Sequence, residues 1–204
     1  MIFALYIVDV WLQSDICSFF LCLVRIRRKI MITIKRVEDL DEKTRITLEI
    51  MNALPEWFSP PEDIVNKSVI HREYPFIAAF DGDRAIGFVA IKVHNIHTVD
   101  IYNFGILREY HRRGIGHRLM EACVEYCRAH GYEFLTVKTL DESAAYEPYN
   151  GTRAFYKKEG FYPLEVFTCV WDEDNPCLFM VKVISGVKKG DCACVFADRK
   201  GRRI

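Results

Sequence analysis

The segment at residues 108–117 constrains this chain most, because it places two glycines between an apolar strand and a helix. Gly114 and Gly116 carry no Cβ, so backbone N–H groups there can approach a ligand closely. A helix N-terminus adds unpaired donors and a partial positive charge, and Arg112 and Arg113 add full charges. The pattern predicts a site for phosphate groups, although a sharp turn from strand to helix would also favour glycine.

The glycine spacing excludes the commonest nucleotide-binding loops. No G-x-x-x-x-G-K-[ST] sequence occurs, and the three-glycine spacing of a dinucleotide fingerprint is missing. The 204-residue chain has 28 basic and 28 acidic side chains, so no overall field draws it to nucleic acid or to an anionic membrane. Any anion site must therefore be local, and we expect no nucleic-acid partner.

Hydrophobic periodicity predicts strands and helices in the order βααβββαβαββ, without an internal repeat. The predicted strands cover residues 32–37, 75–80, 85–93, 99–107, 134–140, 161–166 and 178–184. The predicted helices cover a segment capped by Asp39 or Asp41 that ends near residue 51, a segment beginning at Pro60, residues 114–130 and residues 152–159. This pattern indicates one domain over residues 31–184.

The two ends of the chain are set apart from the predicted domain. Residues 1–24 are apolar but contain Asp9 and Asp15, each costing roughly 2.5 to 3.5 kcal/mol at mid-bilayer, so no stable membrane span is expected. Met31 directly precedes the first predicted strand, so residues 1–30 are interpreted as an extension whose start is mis-assigned. Residues 185–204 are rich in Gly, Lys and Arg and are predicted to form a basic flexible tail.

The eight cysteines lack the paired C-x-x-C spacing of a structural zinc site, so we expect no metal. Cys123 and Cys127 lie one helical turn apart among apolar residues, which is typical of core residues in a reducing compartment. For Cys192 and Cys194 the pattern indicates no function.

Two motifs resemble those of the GNAT N-acetyltransferase superfamily. Residues 111–116, His-Arg-Arg-Gly-Ile-Gly, are similar to the acyl-CoA loop [Q/R]-x-x-G-x-[G/A], with histidine at the first position. Phe155 and Tyr156, followed by Gly160 and Phe161, resemble the signature F-Y-x-x-x-G-F. The resemblance covers residues 31–184 and implies an α/β (α+β) fold in which helices flank a central, mixed, mostly antiparallel sheet.

The resemblance also implies acetyl-CoA as the co-substrate. In the family, the loop and the end of the central strand bind the cofactor, and a backbone N–H near that strand end stabilises the developing oxyanion. The corresponding residues here are Phe104, Gly105, Ile106, His111, Arg112, Arg113, Gly114, Ile115, Gly116 and His117, with Asn150 near the pantetheine arm. The family asparagine falls one residue earlier, where this chain has Tyr149.

Catalytic roles follow from the same resemblance. Tyr156 occupies the position of the family's general acid beside the CoA sulfur, whereas an aromatic pair at this position could also serve only to pack the helix. Asp100, on the central strand, is the predicted general base, with His94 and His97 as alternatives. A solvated hairpin would contain the same residue types.

The acceptor side is expected in the segment after the first strand and in the loop at residues 141–149. Trp57, Tyr146 and Tyr149 are predicted to line an amine pocket, although Trp57 could also simply cover the sheet. Cation-attracting groups are available on Asp141, Glu142 and Glu147.

The implied activity is a cytoplasmic N-acetyltransferase that moves an acetyl group directly to a primary amine of a small molecule or peptide. A catalytically silent acetyl-CoA-binding sensor is the alternative. A homodimer is compatible with the sequence, and the acceptor's identity is left open.

Overall fold

The computed structural model describes residues 32–58, 60–172 and 174–184. Over these residues the chain forms seven strands and four α-helices, and their order confirms the predicted one. The strands are β1 (Ile32–Arg36), β2 (Phe76–Asp81), β3 (Arg84–Val93), β4 (Thr98–Ile106), β5 (Phe134–Leu140), β6 (Tyr162–Asp172) and β7 (Asn175–Val183). The helices are α1 (Leu40–Asn52), α2 (Pro61–Ile70), α3 (Ile115–His130) and α4 (Pro148–Lys158). The predicted N-terminal extension, the predicted tail, Cys192 and Cys194 lie outside the described residues.

Local signals set most of the boundaries. The Asp39 side chain accepts a hydrogen bond from the Glu42 N–H and caps α1. Gly131, with a φ of 80°, ends α3. Helix α4 begins at Pro148 instead of residue 152, because proline has the φ that a first helical turn needs. Strand β6 extends beyond its predicted end to Asp172, because it continues to pair with β7 up to the hairpin.

The seven described strands form one sheet in the order β1-β2-β3-β4-β5-β7-β6. Within this sheet β4 and β5 are parallel, because α3 carries the chain back across the sheet between them. The other neighbouring strands are antiparallel. The arrangement confirms the predicted mixed, mostly antiparallel sheet, and it puts the parallel pair near the centre.

Helices cover both faces of the sheet. A Cβ on Gly105 of β4 would lie 3.2 Å from Ile50, so this face of β4 packs against α1. Phe104 points to the opposite face, where its ring stacks on Phe155 of α4 at 5.4 Å. Helix α3 lies on that second face, because a Cβ on Gly116 would contact the same Phe155 ring.

The core consists of apolar side chains from the strands and from the inner faces of the helices. Cys123 and Cys127 of α3 are fully buried free thiols, which confirms that they are core residues. Other fully buried side chains include Ile46, Ile50, Phe76, Phe88, Ile91, Leu119, Leu135 and Met180. In the described part of the chain, no helix combines the length and the apolar character that crossing a membrane requires.

Candidate active site

Strands β4 and β5 separate part-way along their length. Their parallel pairing ends at Ile101 opposite Val137. Beyond that point, residues 103–106 of β4 stay paired with β3, and residues 138–140 of β5 stay paired with β7. The result is a V-shaped opening in which the facing backbone edges of the two strands no longer bond to each other.

A bulge in β4 accompanies this separation. The β3 register skips Tyr102, because Ala90 pairs with Asn103 and Ile91 pairs with Ile101. An extra residue of this kind bends its strand and increases the local twist. The bulge therefore directs the end of β4 away from β5 at the vertex of the opening.

The loop that follows β4 presents a row of free amide donors. Arg112 and Gly114 have positive φ values of 61° and 78°, and Ile115 begins α3 without a side-chain cap. Within the described residues, no acceptor bonds to the N–H groups of residues 112–117. Backbone that alternates between left-handed and right-handed conformations forms concave anion sites, and a helix N-terminus adds its dipole. The row is therefore suited to a phosphate or pyrophosphate.

The two loop glycines meet different requirements. Gly114 has open space around its Cα, so its left-handed backbone is what requires glycine. A Cβ on Gly116 would lie 3.0 Å from the Phe155 ring and 3.4 Å from Ile106. Glycine at position 116 therefore lets α3 and α4 pack closely. This packing requires a glycine there whether or not a ligand approaches the backbone.

The side chains of the two predicted cofactor-binding histidines bond within the protein. The His111 Nε2 lies 2.6 Å from the carbonyl oxygen of Ile106 and donates to it. The His117 Nδ1 lies 3.1 Å from the Glu159 carboxylate. His111 thus fastens the loop to the end of β4, and the free amides begin one residue later.

The two loop arginines are exposed next to these amides. The Arg113 guanidinium lies 5.2 Å from the centre of the Tyr110 ring, and the Tyr110 hydroxyl donates to Asp81 at 2.8 Å. Arg112 has no ion-pair partner among the residues that the structure describes. Both positive charges are therefore available to an anion at the loop.

Helix α4 lies over the opening on the same face as α3. Tyr156 is 4% exposed, and its ring packs against Phe155 and Phe161. Burial raises the pKa of the Tyr156 phenol far above its ordinary value, and the nearby Tyr149 and Asp100 raise it further. Its hydroxyl makes no hydrogen bond to any described residue. The phenol is therefore protonated at neutral pH and keeps a free donor.

A buried arginine that the sequence analysis missed uses the side chain of Asn150. Arg153 is 6% exposed, its Nη1 donates to the Leu140 carbonyl oxygen at 2.9 Å, and its Nη2 donates to the Asn150 amide oxygen. Arg153 thus joins α4 to the end of β5. Charged residues in helices are usually exposed, so helical periodicity contains no signal for this contact.

Thr139 of β5 contributes an unpartnered hydroxyl to the opening. The residue is 2% exposed, and its Oγ1 has no hydrogen-bond partner in the described part of the chain. Because side chains alternate along a strand, Thr139 faces the side of α3 and α4, opposite to Lys138. A buried hydroxyl without a partner costs roughly 1 to 3 kcal/mol, so this position fits a polar group of a bound molecule.

The opposite side of the opening, facing α1 and α2, holds a cluster of charged side chains around Asp100. The buried Asp100 carboxylate accepts hydrogen bonds from the Thr136 hydroxyl at 2.8 Å and from the Lys138 ammonium at 3.1 Å. The His94 Nε2 lies 3.9 Å from Asp100 Oδ2. Partial burial lowers the pKa of His94, although the charge of Asp100 opposes this shift. A neutral imidazole therefore lies beside Asp100 at neutral pH.

His97, the other predicted alternative for the base, lies outside this cluster. Its exposed ring places Nδ1 at 3.0 Å from the Glu133 carboxylate. The structure thus brings His94 and Asp100 together and leaves His97 on the surface.

The predicted acceptor aromatics come together at the open end of the V. The Tyr149 hydroxyl donates to the backbone oxygen of Trp57 at 3.3 Å, and its ring centre lies 6.1 Å from that of Tyr146. The Trp57 ring also contacts His111 edge-on at 6.2 Å, with the Arg108 guanidinium over its face at 5.3 Å. The segment between α1 and α2 is therefore joined to α4 above the end of β4.

The acidic residues at this end differ in their exposure and contacts. The Asp141 carboxylate caps the turn that follows it, accepting from a backbone N–H at 3.0 Å and a hydroxyl at 2.7 Å. Glu142 and Glu147 are exposed. Glu56, which the sequence analysis did not identify, forms an ion pair with Arg108, and its Oε2 is buried without a partner among the described residues.

A fully buried histidine packs against the β4 bulge on the α1 side of the sheet. His71 lies between the Thr47 hydroxyl, 2.8 Å from Nδ1, and the Asn103 amide oxygen, 2.9 Å from Nε2. Its ring also packs against those of Phe88 and Tyr102. Burial lowers the pKa of His71 to about 4, so the ring is neutral. This network fixes Asn103 beside the vertex of the V.

The splayed strands and the donor row together suit a long ligand with a phosphate end, and a comparison of the sequence with known families shows which family uses such a ligand. The family model for the acetyltransferase (GNAT) family matches residues 38–161. The chain belongs to the acetyltransferase (GNAT) family. The matched segment contains both motifs from the sequence analysis. The predicted GNAT superfamily, fold class and N-acetyltransferase enzyme class are therefore confirmed.

Individual GNAT relatives agree with this result. The uncharacterized N-acetyltransferase YsnE of Bacillus subtilis (strain 168) is 28% identical over 127 residues, which are 61% of this chain and 81% of YsnE. Ard1 from Thermoplasma volcanium superposes with a TM-score of 0.62 at 18% identity, over 75% of this chain and 97% of that one. A GNAT family acetyltransferase from Elizabethkingia anophelis, solved with acetyl-CoA bound, has a TM-score of 0.57 at 17% identity, over 74% and 97% of the chains. At these identities the two structures establish a shared fold.

Proposed function

We propose that this protein is an acetyl-CoA-dependent N-acetyltransferase that moves the acetyl group directly to a primary amine of a small molecule or peptide. The observation that carries the proposal is the continuity of two features along β4. In the described part of the chain, the β4 edge that faces β5 is unpaired beyond Ile101, and the six amides of residues 112–117 have no acceptor. A long ligand with a phosphate end and a thin flexible arm matches this arrangement.

The residues present fit acetyl-CoA. The amides of residues 112–117, with the charges of Arg112 and Arg113, would bind the pyrophosphate. The free edge at residues 102–106 is about 13 Å long, and together with the Thr139 hydroxyl it would bind the amide-bearing pantetheine arm. Burying that arm would give Thr139 Oγ1 the partner that it lacks among the described residues.

Tyr156 is the proposed proton donor to the leaving group. Acetyl-CoA, when bound, supplies the thioester that the amine attacks. Burial keeps the Tyr156 phenol protonated, and its hydroxyl is free to donate towards a sulfur that lies along β4. Tyr156 hydrogen-bonds to the developing thiolate and protonates the sulfur as the C–S bond breaks. Because the pKa of the phenol is raised, the resulting phenolate regains a proton from solvent.

His94 and Asp100 are the proposed base. An acceptor ammonium must lose a proton before its nitrogen can attack, and a neutral imidazole can take that proton. The lowered pKa of His94 keeps the ring neutral at physiological pH, and Asp100 at 3.9 Å would stabilise the protonated ring. Asp100 then acts through His94. The side chains of Trp57, Tyr146 and Tyr149 would line the acceptor cleft at the open end of the V.

We also propose that the protein works in the cytoplasm and as a homodimer. Cys123, Cys127 and Cys177 are buried free thiols, as is usual in a reducing compartment. The outer strand β6 is an edge strand, and its Leu164 is 59% exposed. Exposed apolar edge strands pair readily with a second chain. Sedimentation of the wild type and of Leu164→Lys tests this: a monomeric wild type would contradict the homodimer.

Release of CoA thiol tests the proposed activity directly. Purified protein with acetyl-CoA is presented with amino acids, peptide N-termini, polyamines and aminoglycosides, and the acetylated product is identified by mass spectrometry. We expect amine-dependent CoA release with one of these acceptors. Acetyl-CoA binding without turnover of any acceptor would contradict the enzyme and favour an acetyl-CoA sensor.

A further inference from the structure

Two lysines flank Asp100 at the vertex of the V, on its acceptor side. Lys92 of β3 lies over the Tyr102 ring at 5.8 Å, and Lys138 of β5 lies over the Phe179 ring at 5.3 Å. Asp100 lies between these two residues, on β4, which pairs with β3 on one side and with β5 on the other. Glu165 shares the cross-strand row of Lys138 and Phe179 but lies on β6, two strands from Lys138. At the vertex itself, two ammonium groups flank one carboxylate, which favours an acceptor with an anionic group.

The Asp100 carboxylate is already satisfied by the protein. Its Oδ1 accepts from Thr136, and its Oδ2 accepts from Lys138. The Lys138 ammonium, by contrast, has three donors and uses one of them on Asp100. Its side chain is 35% exposed, whereas that of Asp100 is 5% exposed. Solvent and ligands therefore meet Lys138 before they meet Asp100.

Lys138 is also the first residue of β5 beyond the point where β4 and β5 separate. It therefore lies at the vertex of the V, next to the His94 and Asp100 pair. A carboxylate bound by Lys138 would hold a neighbouring amino group close to the His94 imidazole. Lys138 Nζ and His94 Nε2 lie 3.1 Å and 3.9 Å from the same oxygen, Asp100 Oδ2. An amine and a carboxylate on one carbon atom are close enough together to reach both groups.

We infer that the acceptor is an α-amino acid with a free carboxylate, and that Lys138 binds this carboxylate; this inference rests on the proposed N-acetyltransferase function. Lys138 thereby selects amino acids over amines that lack an acid group. Half-buried Phe179 and Phe167, whose ring centres are 6.2 Å apart, lie beyond Lys138 and provide an apolar surface for the amino acid side chain. Polycationic acceptors are disfavoured by Lys92 and Lys138.

Binding measurements separate this inference from catalysis. Isothermal titration of the protein saturated with CoA compares L-alanine, L-leucine and L-phenylalanine with their carboxamides, which keep the amine and lose the negative charge. We expect at least one acid to bind about tenfold or more tightly than its amide, as for a charge-assisted hydrogen bond. Equal affinities for acid and amide, or no binding of any acid, would overturn the inference.

Variants of Lys138 identify the responsible residue. Lys138→Gln keeps a donor for Asp100 but removes the charge, and we expect it to abolish the preference for the acid. Lys138→Arg should retain the preference. Lys35→Gln is the matched control, because Lys35 also lies over a phenylalanine ring, at 4.2 Å from that of Phe80, but on the distant strand β1. Thermal unfolding and acetyl-CoA affinity show whether each variant is folded.

The outcomes distinguish the two proposals. If Lys138→Gln is folded and still prefers acids, Lys138 is not the carboxylate anchor. If the wild type binds acids selectively but acetylates none of them, the substrate inference stands and the proposed transfer activity fails. If the wild type acetylates amides and acids equally, the activity stands and the substrate inference fails.

Discussion

The cofactor end and the acceptor end of the V are built in different ways. The cofactor end is the loop after β4, where the proposed binding groups are consecutive backbone amides of residues 112–117, presented by one loop and one helix N-terminus. The acceptor end is the vertex, where the proposed functional groups are the side chains of His94, Asp100 and Lys138, which come from separate segments of the chain. The first site therefore depends on backbone conformation, and the second depends on the identity of each side chain.

Removal of the Tyr156 hydroxyl should have the largest effect. Tyr156→Phe deletes one buried hydroxyl, and we expect kcat to fall by about 10²- to 10³-fold with little change in acetyl-CoA affinity. Because the pKa of Tyr156 is raised, the wild type should show no loss of activity from phenol ionisation up to about pH 10. Steady-state kinetics across pH measure both effects.

Tyr162→Phe is the matched control, because this tyrosine is 70% exposed on β6. A Tyr156→Phe variant whose kcat stays within about twofold of that control would exclude the proposed proton donor.

His71, behind the acceptor end, should make stability depend on pH. Its pKa is about 4 in the folded protein and about 6.5 in the unfolded chain, so the unfolded chain binds the extra proton first as pH falls. The free energy of unfolding should therefore decrease by about 3 kcal/mol between pH 6.5 and pH 4 through this residue. Denaturant unfolding at several pH values measures the slope of the free energy of unfolding against pH.

The His71→Gln variant should lose this part of the slope, whereas His97→Gln, at an exposed position, should retain it. The same slope in His71→Gln and the wild type would show that the buried ring does not carry the effect.

His94 should affect the reaction as the base that takes a proton from the acceptor ammonium. His94→Gln is expected to lower kcat/KM by about 10²-fold. In the wild type, kcat/KM should fall as pH drops below 6.5, since burial and the nearby Lys138 and Lys92 lower the pKa of His94 while Asp100 raises it. His97→Gln is the control for a histidine outside the cluster. An unchanged acidic limb in His94→Gln would assign the base to another group.

Gly114 should show the smallest effect and test the backbone nature of the cofactor end. Gly114→Ala strains a residue with a φ of 78° and should weaken acetyl-CoA binding by about five- to tenfold as the amide row relaxes. Gly82→Ala is a matched control, because Gly82 has a φ of 60° and equally open surroundings, but lies in the β2–β3 hairpin. Both variants should lose similar stability, and equal loss of acetyl-CoA affinity in both would argue against the loop's specific role.

The same contrast explains what the sequence can predict. The donor row depends on a local glycine pattern, so Gly114 and its neighbours are enough to predict a loop whose backbone amides face outwards at a helix N-terminus. The order of the elements also follows from local signals such as the Asp39 cap and the Asp81-Gly82 hairpin. These features need no information about distant parts of the chain.

The acceptor end cannot be predicted in this way. Lys138 and Asp100 meet because β4 and β5 pair in a particular register, which no local pattern encodes. The ion pair of Glu56 with Arg108 and the bonds of Arg153 likewise join residues from different elements. The motif position of His111 predicts a cofactor contact, and no local pattern indicates the bond of its ring to Ile106. Side-chain partners of this kind are decided by tertiary packing.

The amides of residues 112–117 are proposed to bind the phosphates of acetyl-CoA. Isothermal titration with acetyl-CoA and with S-acetylpantetheine, which has the same acetyl arm but no phosphate, tests it most directly. We predict that S-acetylpantetheine binds at least about 10²-fold more weakly, because it loses several charge-assisted hydrogen bonds. Affinities that agree within about threefold would contradict the account, since the arm alone would then supply the binding energy.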